Sequence, residues 1–109
     1  MMQLAAYFKE LEDFDSITTP EGFASYRISG EECYIKDIWV HQDYRKKSVA
    51  SDMADDIVAI AKRAGCKYLT GSVYINIKNP TASTKVLLAY GFEIHSLVPN
   101  GIVFRKAIA

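Results

Sequence analysis

The chain has 109 residues, half of them apolar, 24% charged and 12% aromatic, and its thirteen basic and thirteen acidic residues cancel. That length makes one domain with one sizeable core, and the apolar content with zero net charge excludes a disordered chain. No apolar run approaches the roughly 20 residues of a membrane span, and no basic stretch leads into an apolar one at the start, so neither a membrane span nor a signal peptide is expected, and the expected compartment is the cytoplasm.

Residues 2–14 predict a helix, with Leu4, Tyr7, Phe8, Leu11 and Phe14 recurring at helical spacing. Residues 16–20 suit an edge strand, Glu21-Gly22 a turn, residues 23–29 a strand, Gly30-Glu31 a second turn, and residues 33–40 a central strand closing a hairpin. After the basic segment 41–47, residues 48–64 predict a helix whose apolar face is Met53, Ala54, Ile57, Val58 and Ala61. Lys62 and Arg63 lie in its last turn, and Gly65 stops it. Residues 68–75 read as a strand in which Gly71 suggests a bulge or close approach. Asn79-Pro80 opens a helix that runs to Tyr90 and stops at Gly91. Residues 92–98 and 102–108 form a last hairpin about Asn100-Gly101. The order predicts a single α/β (α+β) domain over residues 1–109, with one mixed, mostly antiparallel sheet flanked by helices.

Residues 1–32 carry two basic and seven acidic side chains, and residues 33–109 carry eleven and six, so the halves sum to −5 and +5. Either the halves attract each other within the fold, or the site is bipolar, taking an anion on one side and a cation on the other. The stretch that favours the second reading is strand, basic loop, helix. Arg45, Lys46 and Lys47 stand directly before a helix that opens with the small residues Ser48, Ala50 and Ser51. A helix N-terminus offers unpaired N–H groups and a positive dipole end, and small side chains let a phosphate or pyrophosphate approach that backbone. Neither a P-loop nor a G-x-G-x-x-G fingerprint occurs.

On these residues the chain resembles the GNAT superfamily of N-acetyltransferases. Their acetyl-CoA motif is a strand ending in Val, followed about five residues later by [RQ]-x-x-G-x-[GA] at a helix start. Here Val40 precedes Arg45-Lys46-Lys47-Ser48-Val49-Ala50. The second hallmark, strand, Asn, short helix and Gly-Phe, is matched by residues 68–75, Asn79, residues 80–90 and Gly91-Phe92. The resemblance covers residues 23–108. It implies that the strands ending at Val40 and near Ile75 splay apart and that pantetheine lies between them on the backbone of Ile38, Trp39 and Val40. The pyrophosphate would rest on the N–H groups of Arg45, Lys46, Lys47, Ser48, Val49, Ala50 and Ser51. Asn79 would reach the pantetheine, and the last hairpin would wall the acceptor site. The implied reaction is acetyl transfer from acetyl-CoA, as co-substrate, to a primary amine by direct attack, the acceptor being a small amine or a lysine or N-terminus of a basic protein or peptide.

The chain departs from the family in three ways. Ser48 stands where the family has glycine: with negative φ its hydroxyl could donate to phosphate, and with positive φ it would be strained. The tyrosine that often protonates the departing thiolate is replaced by Leu87, and nearby Tyr90 is expected on another face. The frequent glutamate base is replaced by Tyr34, with Asp37 three residues along and expected on the opposite face. Tyr34, Asp37 and Tyr90 are thus the candidate catalytic residues. A single helix before the first hairpin would leave the acceptor site open, or a homodimer partner would complete it, and the acidic N-terminal third suits a cationic acceptor. The alternative is a non-catalytic protein of this fold that binds CoA or a macromolecule. A nucleic-acid role for YRKKS has little support, because three consecutive cations make no basic stripe.

Cys33 and Cys66 form no CxxC and are expected to pack as reduced thiols. His41 and His95 have no metal-ligand spacing, so no metal is expected. Asp55 and Asp56 diverge on the helix and are expected to face solvent.

Overall fold

The structure, a computed structural model, describes residues 14–45, 48–76 and 80–109. The helix expected over residues 2–14 lies outside these except for Phe14, whose ring is buried. Lys46, Lys47 and Asn79 also lie outside them. Six strands, β1 (Asp15–Thr19), β2 (Gly22–Ser29), β3 (Glu32–Val40), β4 (Tyr68–Tyr74), β5 (Glu93–Val98) and β6 (Gly101–Ala107), form one sheet in the order β1-β2-β3-β4-β6-β5. Every neighbouring pair is antiparallel except β3 and β4. Helix α1 (Val49–Arg63) makes the crossover between those two parallel strands, and α2 (Pro80–Tyr90) leads from β4 to β5. The fold class read from the sequence, a mixed sheet flanked by helices, is the one observed.

Both helices end in the same device. At α1, Cys66 N–H donates to Ala61 O (2.9 Å) and Gly65 N–H to Lys62 O (3.1 Å); at α2, Phe92 N–H donates to Leu87 O (3.0 Å) and Gly91 N–H to Leu88 O (3.1 Å). Gly65 and Gly91 take φ of 88° and 107°. These are Schellman caps, and each delivers its next residue, Cys66 or Phe92, into the core. α1 packs on β2 and β3, and α2 on β4. Met53, Ile57 and Ala61 of α1 meet Ala24, Cys33, Leu69 and Phe104 of the sheet. Full burial of side chains such as Ile57, Leu69 and Phe104 contributes about 1.5–3 kcal/mol each.

Three local expectations change. The first turn is Pro20-Glu21, because Gly22 already pairs with Thr19 and Val40. A Cβ on Gly22 would collide with the Trp39 carbonyl oxygen, so that pairing requires glycine. Gly71 forms no bulge: β4 and β6 pair without interruption, and a Cβ at Gly71 would only reach ordinary contact with Leu87 Cδ2 at 3.8 Å. In the last hairpin Val98 pairs with Gly101, so the turn is Pro99-Asn100, with Asn100 at φ 63°. Proline at the first central position and positive φ at the second fit a type II turn.

Two predictions follow from this packing. Gly22→Ala should cost about 1–3 kcal/mol, seen as a lower urea midpoint; an unchanged midpoint would show that the Trp39 carbonyl can move aside. Burial, then the neighbouring Cys66 and Asp15, pushes the Cys33 thiol up from 9.0 to about 12. A group whose folded pKa is raised stabilises the fold below its unfolded pKa, and that contribution is lost as pH climbs through the folded one. Cys33→Ala should therefore flatten the fall in melting temperature between pH 9 and 12.

Candidate functional site

β3 and β4 pair only at Glu32↔Tyr68, Cys33↔Leu69 and Tyr34↔Thr70, although β3 runs on to Val40 and β4 to Tyr74. Beyond Tyr34 each strand follows its other neighbour. β3 remains paired with β2 up to Val40↔Gly22, and His41 N–H donates to Glu21 O at 2.7 Å. β4 remains paired with β6 up to Tyr74↔Gly101, and Ile75 N–H donates to Asn100 O at 2.8 Å. The result is a fork whose arms carry backbone groups with no partner strand, the splay that the resemblance implied.

A bulge starts the fork. Ser25 pairs with Asp37 and Tyr26 with Ile35, which leaves Lys36 as an extra residue on β3. Such a bulge bends and twists its strand. It also shifts the phase of every side chain beyond it. Tyr34, Asp37 and Trp39 pair across to Arg27, Ser25 and Phe23, so all three share one face. The expectation that Asp37 opposes Tyr34 is thus corrected. Ser25, itself buried, donates from Oγ to Asp37 Oδ2 at 3.3 Å. Ile35, Ile38 and Val40 occupy the opposite face, toward α1, and pack against the core.

Of the three residues expected to bond pantetheine through their backbone, Trp39 turns its carbonyl toward β2, beside Gly22. Alternation turns the backbone groups of Ile38 and Val40 to the fork. Arg45 reaches back and donates from Nε to Val40 O at 3.1 Å.

After a 3-10 turn at Gln42–Tyr44, α1 begins at the fork's outer end. Its first intrahelical bond is Asp52 N–H to Ser48 O at 2.9 Å. The N–H groups of Val49, Ala50 and Ser51 precede it, and Ser48 makes no side-chain cap. Ser48 sits at φ 65°, ψ 8°, the left-handed region. The loop has kept a glycine conformation in a serine. That arrangement fits a pyrophosphate, with amides at a positive helix end that have no partner among the described residues.

Leu87 packs on the core, so no phenol stands at that position. Tyr90 donates from its hydroxyl to Asp55 Oδ1 at 2.6 Å, tying α2 to α1. Asp55, expected only to face solvent, is the other half of this strut. Burial, then that hydrogen bond, raises the Tyr90 pKa well above its ordinary value, which makes it a poor proton donor. Tyr34 stands at the base of the fork, its ring 6.5 Å from that of Phe14. Burial also pushes Cys66 up, so neither thiol offers a thiolate nucleophile near neutral pH. Among the described residues no three His, Cys, Asp or Glu converge on a metal position, and no helix is long and apolar enough to cross a membrane.

The family model for the GNAT acetyltransferases matches residues 10–82. The chain belongs to the GNAT family of acetyltransferases. No curated protein matches it by sequence. Among solved structures it is similar to a GNAT-family protein from Desulfovibrio desulfuricans (12% identity, TM-score 0.82, 98% of this chain and 79% of that one). It is also similar to Ard1 from Thermoplasma volcanium (17%, 0.77, 100% and 80%). A third is PaiA N-acetyltransferase from Thermoplasma acidophilum, solved with coenzyme A (12%, 0.76, 97% and 69%). At these identities the likeness is one of fold.

The loop geometry sets a prediction. Holding a non-glycine residue left-handed costs about 1–2 kcal/mol, partly offset by the greater unfolded-state entropy of glycine. Ser48→Gly should therefore raise stability by about 0.5–1 kcal/mol and the melting temperature by a few degrees, and Ser48→Val should lower both. An equal or lower melting temperature for the glycine variant would contradict the strain.

Proposed function

We propose that the chain transfers the acetyl group of acetyl-CoA to a primary amine by direct attack. The observation that carries this reading is the fork opening at its outer end beside the N-terminus of α1, where the first amides have no partner among the described residues. The amides of Val49, Ala50 and Ser51, with the Arg45 guanidinium, hold the pyrophosphate. The backbone of Ile38 and Val40 takes the pantetheine amides, and Arg45 Nε leaves the Val40 carbonyl to meet the phosphates instead. Lys46, Lys47 and Asn79 add to the same site on the family pattern. The thioester supplies the activated acetyl group. The ammonium proton must leave first; the amine lone pair then forms the new C–N bond as the C–S bond breaks, and the departing coenzyme A thiolate takes up the second nitrogen proton. Asp37, on the face of the bulged strand away from α1, accepts the ammonium proton. Two buried, unreactive thiols support direct transfer over a cysteine-bound acyl group.

Calorimetric titration with acetyl-CoA should show micromolar binding that Arg45→Glu weakens at least tenfold, and amine acetylation should appear as a mass shift in the acceptor. The departures at Leu87 and Tyr34 favour a second reading, a CoA-binding protein without turnover. Binding without acetylation of any amine would select it, and absence of binding would remove both.

A further inference from the structure

Arg45 is drawn to two places. It donates from Nε to Val40 O at 3.1 Å, and the proposed function gives its guanidinium to the pyrophosphate. The loop builds the first contact. His41 N–H is held on Glu21 O at 2.7 Å, Tyr44 N–H donates to His41 O at 2.8 Å, and Asp43 N–H donates to His41 Nδ1 at 3.2 Å. These bonds close the Gln42–Tyr44 turn. Arg45 leaves it extended, at φ −70° and ψ 153°, with its side chain reaching back to the end of β3.

The acceptor it takes is the one that matters for the cofactor. His41 N–H and the Trp39 carbonyl face β2, so the groups of Val40 between them face the fork, where β4 no longer pairs with β3. The carbonyl under the guanidinium is therefore the one that the proposed function assigns to a pantetheine amide. A hydrogen bond from a charged donor is stronger than a neutral one, so a pantetheine amide alone competes poorly for it. A pyrophosphate competes well for the guanidinium, because it offers anionic oxygens in place of one carbonyl.

We propose that Arg45 is a latch between the two halves of the cofactor site: it closes the Val40 acceptor in the free protein, and the pyrophosphate draws it off. This rests on the acetyltransferase reading and adds how the site selects its donor. Each half of coenzyme A then helps the other to bind, and linkage makes the two effects equal. An acyl-pantetheine without the diphosphate loses more than the phosphate contacts, since it must also break the latch.

The test splits the donor into S-acetylpantetheine and ADP. Each is titrated by NMR, alone and with the other saturating, against the wild type and Arg45→Met, which keeps an unbranched side chain but no donor. Titration with intact acetyl-CoA establishes the cofactor site separately; if it does not bind, that reading and the latch fail together. In the wild type, ADP should tighten S-acetylpantetheine binding about fivefold or more, and the reverse effect should match it. Arg45→Met should bind S-acetylpantetheine alone about fivefold more tightly than the wild type, yet bind acetyl-CoA more weakly, and ADP should no longer help. Acetyl-CoA binding with no gain from ADP would overturn the latch and leave the cofactor site standing. So would a coupling that survives in Arg45→Met, or a variant that weakens S-acetylpantetheine and acetyl-CoA alike, which is the mark of an ordinary contact.

Discussion

The structure depends on a parallel ladder that is allowed only three residue pairs. β3 and β4 meet at Glu32–Tyr34 and Tyr68–Thr70, and each then follows an antiparallel neighbour that holds it more firmly. Parallel pairing is slightly weaker per residue than antiparallel pairing, so the sheet opens where the two compete. The anchors at the far ends, His41 on Glu21 and Ile75 on Asn100, hold the arms apart. A continuous β3–β4 ladder would give a sound sheet with no gap in it.

The remaining parts take their places from this opening. The crossover that joins two parallel strands is a helix, and its start falls at the outer end of the fork, so the amides of the helix end and the gap adjoin. The helices α1 and α2 share one side, tied by Tyr90 and Asp55, and among the described residues Tyr34, Asp37 and Trp39 lie on the other. Arg45 and the helix dipole lie at one end of the fork, and the Asp37 carboxylate lies on the face away from the helices.

Much of this was legible in the sequence. The helical spacing of Met53, Ile57 and Ala61, the stops at Gly65 and Gly91, and the alternating strands located the described elements to within a residue or two. What escaped depends on contacts distant in sequence. Gly22 belongs to a strand rather than a turn because of the Trp39 carbonyl seventeen positions away. The Tyr90–Asp55 strut joins residues on two helices, and neither sequence neighbourhood announces it. The bulge was invisible because Lys36 and Asp37 are both exposed and polar, so no hydrophobic residue marked the change of phase, and a simple count of three put Asp37 on the wrong face. At Ser48 both signs of φ were open until the backbone decided. The expected N-terminal helix, Lys46, Lys47 and Asn79 lie outside the described residues.

The Lys36 bulge sets the bend of β3 rather than the side its residues face. Deleting Lys36 would make Tyr26↔Ile35 and Ser25↔Asp37 consecutive pairs, so Asp37 and Trp39 would keep their face and Ile38 and Val40 would keep theirs. What would go is the bend and the extra twist that a bulge gives its strand. A straighter β3 would be free to run on beside β4, and the parallel ladder to extend beyond Tyr34. One inserted residue thus acts as the wedge at which the two strands part.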